Sequence, residues 1–366
     1  MGIGKKIADY IDLRLGIRDI LAQNLTKYLV PRNINAWYTL GAVLLTLFAV
    51  QFAAGILLLI YYNPTADGAF HSVERIMNDI PFGWLIRTVH AVGASIIVLT
   101  LLLHMLSVLF MGSYKRPREL TWVAGFLLLM VSLGMCLTGY LLPWSQLSFW
   151  ATTVATDSPG EIPMIGDFVV RLMRGGAMVG QPTLGRFFAL HVIVLPLSFG
   201  LLVLFHLFCV RRVGISRPPF GAGWRPAEPL TGFRHEDHPG GIPFFPHYVA
   251  KDAAMIAFFL ALLMAAVFFV PNIFFPPTAF EPADPFVTPT GIKPEWYFLW
   301  AYQTLKIFPS KVLGLSVQGA MMLFILIIPF LDRSPERRPA KRHVFVTAYI
   351  LGITIFLALS IWGHYS

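Results

Sequence analysis

Seven apolar stretches, each long enough to cross a bilayer, constrain this chain more than anything else in it. They lie at roughly 36–62, 88–111, 121–143, 188–210, 250–273, 313–332 and 343–363. About 20 apolar residues in a helix span ~30 Å of hydrocarbon. Inside hydrocarbon every backbone polar group must be satisfied within its own segment. The expectation is an all-α polytopic membrane protein. The balance of the 366 residues agrees, with 56% hydrophobic and only 13% charged.

Basic residues predict the orientation, because positive loops stay on the side of insertion. With the N-terminus inside, segments 1–35, 112–120, 211–251 and 333–342 hold 20 of the 28 Lys and Arg. The reading is therefore N-terminus cytoplasmic, C-terminus outside. This bias accounts for the net charge of +9, and basic residues dispersed over four segments give no reason to expect nucleic acid. The opening Gly4 to Tyr10 lacks the apolar core and small-residue cleavage site of a secretory signal peptide. Apolar residues Ile7, Ile11, Leu15, Ile17 and Leu21 suggest instead an amphipathic helix on the inner surface, within 1–32, in contact with lipid.

The loops 144–187 and 274–312 outside, and 211–249 inside, carry enough Pro, Gly and aromatic residues to have structure of their own. The inner one suggests a division into a four-helix domain (33–215), a linker (216–249) and a three-helix C-terminal domain (250–366). His235-Glu236-Asp237-His238 in that linker has metal-like residue types, but no further ligand is spaced to close a site, so a solvated linker is the simpler reading. Cys136 and Cys209 fall in apolar helices and read as buried free thiols. No Cys-x-x-Cys-His is present for covalent haem.

His90 and His104 share the second stretch, and His191 and His206 the fourth. Fourteen residues at 100° return to within about 40° of the starting face and rise ~21 Å; fifteen miss by about 60°. Each helix thus carries one His near each leaflet. Both helices run outside to inside, so His90 matches His191 in depth, and His104 matches His206. Each pair is able to hold a flat metal macrocycle between two helices, with imidazoles as axial ligands. Gly41 and Gly55, and Gly125 and Gly139, are also 14 apart on helices of opposite direction. Gly55 and Gly139 fall at the outer depth, Gly41 and Gly125 at the inner one, where a missing Cβ admits the macrocycle. Singly, each of these glycines reads as ordinary small-residue packing. For the acidic edges of such a group, Arg87 and Arg186 are candidates outside, and Ser113 with Lys115, Arg116 and Arg118 inside. A plain positive-inside role is the competing reading for the inner set.

The chain resembles cytochrome b of the quinol:cytochrome c oxidoreductase (bc-type) complexes over nearly its whole length. The resemblance is carried by Val30-Pro31-Arg32-Asn33-Ile34-Asn35, Tyr114 to Trp122, Gly139-Tyr140-Leu141-Leu142-Pro143-Trp144 and Pro294-Glu295-Trp296-Tyr297. The 15-residue interval from His191 to His206, and a seventh helix that ends the chain, resemble the photosynthetic branch. There the four-helix and three-helix parts are separate chains, and here they are fused.

The resemblance implies a four-helix bundle with two non-covalent b haems, plus a three-helix part, in a bacterial cytoplasmic membrane. It also implies quinone as substrate, a Rieske iron–sulfur protein and a c-type cytochrome as partners, and a homodimeric complex. Quinol would be oxidised outside with its two electrons sent to different acceptors, one of them crossing to an inner quinone. Glu295 would accept a hydroxyl proton as general base, with Tyr297 and Tyr140 as polar neighbours and Pro294, Pro143, Trp150, Phe298 and Ala151 as walls. Ala151 replaces a Gly of mitochondrial relatives and is expected to narrow that pocket. Lys251 and Asp252, with Arg211 as a weaker candidate, would serve the inner quinone site. Thr39 stands where the photosynthetic chains have a Cys, so no covalent third haem is expected, and Ser107 stands where relatives have an Arg.

Three other readings stay open on the residues: an aromatic interface belt around a solvated Glu295, a dihaem anchor of a dehydrogenase or hydrogenase, and a transporter with pore-lining histidines.

Overall fold

A computed structural model describes residues 2–220, 238 and 240–366. His235, Glu236 and Asp237 lie outside the described residues; His238 accepts from Arg217 and its Nε2 sits 3.0 Å from the Ile215 carbonyl. Among the described residues seven helices are long and apolar enough to cross a membrane: Leu40–Leu59, Gly83–Phe110, Glu119–Leu141, Gln181–Val213, Phe244–Phe269, Lys311–Leu331 and His343–Tyr365. They are called the first to seventh spans below. The all-α, seven-span expectation therefore holds.

The first span packs against the second and the third against the fourth, while the fifth lies along the first two. One apolar core joins Leu40, Leu44 and Leu47 of the first span to Val92 and Ile96 of the second, Phe199 of the fourth, and Phe259 and Leu263 of the fifth. The core thus continues from the front four spans into the back three. Burial of large side chains in lipid gains packing and backbone satisfaction rather than escape from water.

Of the departures from regular helix among the described residues, one in the N-terminal segment and one in the fourth span bear on the sequence reading. The N-terminal segment is not one helix: Ile3–Leu15 ends at Gly16 in a left-handed conformation (φ 60°), and Ile17–Leu21 starts afresh. Gly at that position ends helices because it lacks the Cβ penalty. In the fourth span, Leu190–Val194 forms a π turn, with the Leu195 N–H reaching the Leu190 carbonyl five residues back. Pro196 follows, and without an N–H it has nothing to donate to the Val192 carbonyl, so the wide turn falls where the regular ladder is already broken.

The outer loops are folded onto each other. Ser145 opens the helix Gln146–Asp157 with a reciprocal cap: its Oγ accepts from Ser148 N, and Ser148 Oγ accepts from Ser145 N at 2.9 Å. Beside it, Gln146 N donates to Glu281 O (2.9 Å), Ala283 N to Trp144 O (3.1 Å) and Asp284 N to Gln146 Oε1 (3.0 Å). This seam fixes the segment leading to Glu295 against the Gly139–Trp144 turn.

Candidate functional site

The outer histidines face one another. His90 and His191 have ring centres 6.2 Å apart and planes at 79°. Two imidazoles on opposite sides of one metal, at ~2 Å per metal–nitrogen contact, place their ring centres roughly 6–6.5 Å apart. His191 Nδ1 lies 3.0 Å from the Met135 carbonyl, a bond that puts the proton on Nδ1 and leaves Nε2 as the donor to a metal. Gln51 donates to the His90 carbonyl at 2.7 Å and ties the first span to the second at this depth.

Each histidine is met by a glycine on the opposing helix. A Cβ built at Gly55 would lie 3.1 Å from His90 Cε1, and one at Gly139 would overlap the His191 ring. At the inner depth, Gly125 faces His206 Cε1 at 3.3 Å, and Gly41 faces His104 Cε1 at 3.8 Å. The Nδ1 atoms of His90, His104 and His206 are buried without a hydrogen-bond partner. Among the described residues no three His, Cys, Asp or Glu cluster as a metal site. Histidines in twos, bedded on glycine, fit a metal whose remaining ligands come from a macrocycle, so the residues present suit a b haem at each depth.

The outer histidines open onto a cavity of about 450 Å³, and the same cavity is lined by Glu295, Tyr297, Tyr140, Pro143 and Arg87. Glu295 sits just before the short helix Trp296–Phe298, yet its side chain makes no capping bond, so the carboxylate is left for the cavity. Burial raises its pKa to about 7. Tyr297, 6% exposed, is held neutral by burial and by its neighbours Cys136, Glu295 and Tyr140. Arg87 is buried, with its guanidinium 4.6 Å over the Phe275 ring.

Other residues singled out in the sequence fall elsewhere. Pro294, Trp150, Ala151 and Phe298 are not among the cavity's lining residues; Ala151 is buried, and Trp150 donates from its indole to Asp284 O at 3.2 Å. Arg186 closes the end of the helix Gly166–Arg174 by donating to the Arg171 and Leu172 carbonyls. Arg211 turns to the N-terminal segment, donating to Asn24 Oδ1 (2.9 Å) and stacking 3.6 Å over Tyr28.

At the inner end, Lys251 donates to Ile34 O at 3.1 Å, and Asp252 is buried with Oδ1 unpartnered. Ser113 Oγ pairs with Ser216 Oγ at 2.7 Å. Lys115 is engaged by Asp332 (2.7 Å), and Arg116 lies on the surface near Glu119 (3.4 Å). Ser107 bonds back to the His104 carbonyl (2.8 Å), and Thr39 to Ala36 O (2.7 Å). Sequence reasoning missed Cys136 as a cavity residue, Gln51, and the Asp332 cluster. Only Gln51, an amide in an apolar helix, carried a local signal.

Residues 25–214 match the family model described as "Cytochrome b/b6/petB", and residues 282–366 match "Cytochrome b(C-terminal)/b6/petD". Cytochrome b of Rhodospirillum rubrum is 38% identical over 340 residues, covering 93% of this chain and 81% of its own. The "cytochrome bc complex cytochrome b subunit" of Chlorobaculum thiosulfatiphilum is 37% identical over 365 residues, 98% of this chain and 81% of that one. A "Cytochrome b/c1" of Bradyrhizobium diazoefficiens is 37% identical over 92% of this chain, which spans only 48% of that relative. A solved structure described as "Hyperthermophilic respiratory Complex III" superposes with a TM-score of 0.89 at 38% identity, over 97% of this chain and 90% of that one.

Fold and family models together define a multi-pass, haem-binding membrane protein of electron transport. The chain belongs to the cytochrome b family of bc-type complexes, with the b/b6 part and the C-terminal part fused in one polypeptide.

Proposed function

We propose that this cytochrome b oxidises quinol in the outer cavity and passes one electron inward to a quinone site near Asp252. The observation that carries the reading is the shared cavity: His90, His191, Glu295, Tyr297 and Tyr140 line one space. A quinol there lies beside both a proton acceptor and an electron acceptor.

Haems held by His90 with His191, and by His104 with His206, supply one-electron carriers stacked across the membrane when bound. The protein's own part is acid–base chemistry and placement. Quinol oxidation releases two protons and two electrons. Glu295, with a pKa near 7, accepts a hydroxyl proton and releases it to water at the outer edge. Tyr297 and Tyr140 give the quinol oxygens neutral hydrogen-bond partners, and Pro143 an apolar wall. Arg87 supplies a cation at the cavity for an acidic haem edge. Asp252, buried and short of a partner, delivers a proton to quinone at the inner end, with Lys251 beside it. Moving one charge inward across the membrane stores ~2.3 kcal/mol per 100 mV.

The family and the Complex III-like fold imply a Rieske protein and a cytochrome c1 as partners. The first electron leaves to the Rieske protein, and the second enters this chain. We further propose the division at 33–215 and 250–366, a dimeric complex, an N-terminal helix lying on the inner surface, and an inside N-terminus with an outside C-terminus in a bacterial cytoplasmic membrane. The seam joining the two outer loops at Ser145 and Pro282 favours this reading over a dihaem anchor, which has no use for an enclosed outer quinol site.

Redox titration of the complex, followed by quinol turnover in Glu295→Gln, tests the proposal. Two separated b-type waves and a large loss of turnover are expected. Unchanged turnover in the variant removes Glu295 as proton acceptor.

A further inference from the structure

Each of the first four spans places one residue midway between the two histidine levels. Phe48 stands seven residues from both Gly41 and Gly55, Ile97 seven from both His90 and His104, and Ser132 seven from both Gly125 and Gly139. Seven residues turn a helix through about 700°, close to two full turns, and rise ~10 Å, so each of these three shares a face with the residues above and below it. On the fourth span Phe199 falls seven residues before His206, and its ring centre is 4.0 Å from that of Phe48, with the planes at 39°. The two rings bridge the first and fourth spans, and Phe52 leans on Phe199 at 5.8 Å. All four residues of the layer are buried.

The outer cavity ends at this layer. Phe48, Ile97 and Ser132 line it, whereas His104, His206, Gly41 and Gly125 are not among its lining residues. Two hydroxyls at the layer are tied to their own helices: Ser132 Oγ donates to Leu128 O and Thr100 Oγ1 to Ile96 O, each at 2.7 Å. A hydroxyl so engaged offers a water molecule only an acceptor, and a buried water needs about two to four polar partners.

We propose that Phe48, Ile97, Ser132 and Phe199 form a dry septum that closes the outer cavity against the inner end of the bundle, passing an electron while barring water and protons. Apolar constrictions exclude water by dewetting, and a charge at the centre of a bilayer is costly. A proton therefore has no file of water to follow through the layer, and an electron needs none. Without the septum, the potential built by inward electron flow would drain through the same bundle. This role rests on the proposed inward passage of an electron, but the seal itself is measured with no turnover.

The test uses the intact complex in phosphatidylcholine vesicles, with no quinol present. A potassium gradient with valinomycin sets the potential, and an internal pH dye reads proton entry. Phe48→Ala and Phe199→Ala each remove a ring and extend the cavity through the layer. Proton entry is expected to be several-fold faster than in wild type, and fastest in the double variant. Phe48→Leu keeps apolar bulk and stays close to wild type, as does Phe258→Ala, which removes a ring exposed on the fifth span. Alanine variants with intact b bands and wild-type proton entry overturn the septum, and so does a leak of equal size in Phe258→Ala. Wild type supplies a second reading that does not depend on how the variants assemble. Hydroxyl radicals generated from water by X-rays should leave Phe199 unmodified in the folded complex, and modification of Phe199 there overturns the septum. Neither readout changes if Glu295→Gln retains its turnover, so failure of the quinol-oxidation reading is told apart from failure of the seal.

Discussion

Gly139 and His191 stand so close that the smallest side chain at residue 139 would occupy the space of the imidazole, whereas Gly41 leaves His104 an ordinary van der Waals gap of 3.8 Å. The four glycine contacts form a graded series, and haem retention upon Ala substitution should follow it. Gly139→Ala is expected to lose most of the outer haem, Gly55→Ala part of it, Gly125→Ala less, and Gly41→Ala little. Haem per chain, from the reduced b-band absorbance of each purified variant, checks the order. A Gly41 variant that loses as much haem as the Gly139 variant contradicts it.

Glu295 predicts a pH profile. Its pKa is raised to about 7, so it is protonated and unable to accept a proton below that pH. Quinol oxidation should climb as pH rises through 7 and level off above it. In Glu295→Gln the rate should fall on the order of 10²-fold and lose this rise. Steady-state turnover from pH 5.5 to 8.5 is the measurement, and a variant retaining the wild-type profile would count against the base.

Asp332 predicts an acid-sensitive clasp. It accepts from Tyr114 Oη (2.5 Å), Lys115 Nζ (2.7 Å) and Arg342 Nη2 (2.8 Å), and so joins the loop after the second span to the start of the seventh. Burial works to raise its pKa, but the bonds and charges of Lys115, Tyr114 and Arg342 outweigh burial and hold it below the usual range. The stability it contributes is present above the unfolded pKa of ~3.9 and is lost as pH falls through the lower folded value. Asp332→Ala leaves Lys115 and Arg342 buried without their counter-charge, a loss of about 3 kcal/mol. Thermal unfolding in nanodiscs at neutral pH should show a lower Tm. Wild type and variant should converge only once pH has fallen through that lowered folded value.

Arg174 predicts local order in the outer loop. Its guanidinium bonds Thr156 Oγ1 (2.7 Å), Thr153 O (2.7 Å), Ala177 O (3.0 Å) and Asp157 Oδ1 (2.8 Å) while 3% exposed. Arg174→Leu keeps bulk but strands those acceptors, at about 1–3 kcal/mol. Hydrogen exchange over residues 150–185 should speed up, with the spans unchanged. Unaltered protection there would show that the loop holds its shape by apolar packing alone.

The histidine and glycine intervals were legible because each is a property of one helix: periodicity assigns a face and a depth without any knowledge of neighbours. The same holds for the seven spans, where length and hydropathy decide. What escaped depends on partners far along the chain. Asp332 lies 217 residues from Lys115, Arg337 reaches Ser113, and Arg211 turns back to Asn24. A charge in a loop gives no local sign of which distant group it will meet. Arg186 illustrates the limit: five residues before His191 it reads as a haem-edge cation, yet the cap of a neighbouring helix takes it. Gly16 had a legible signal, a glycine inside an apolar repeat, and its left-handed turn divides what periodicity joined.

The π turn at Leu190–Val194 bears on the one interval that looked irregular. Such a turn holds about one residue more than the α-helical turn it replaces. The 15 residues from His191 to His206 therefore cover the angular distance of about 14, which is the interval from His90 to His104. Counting along the chain and counting around the helix are thereby uncoupled. A polypeptide of this kind is free to gain or shed a residue between its ligands, provided the change is absorbed as a single loose coil of backbone, and the groups facing the bundle axis keep their alignment.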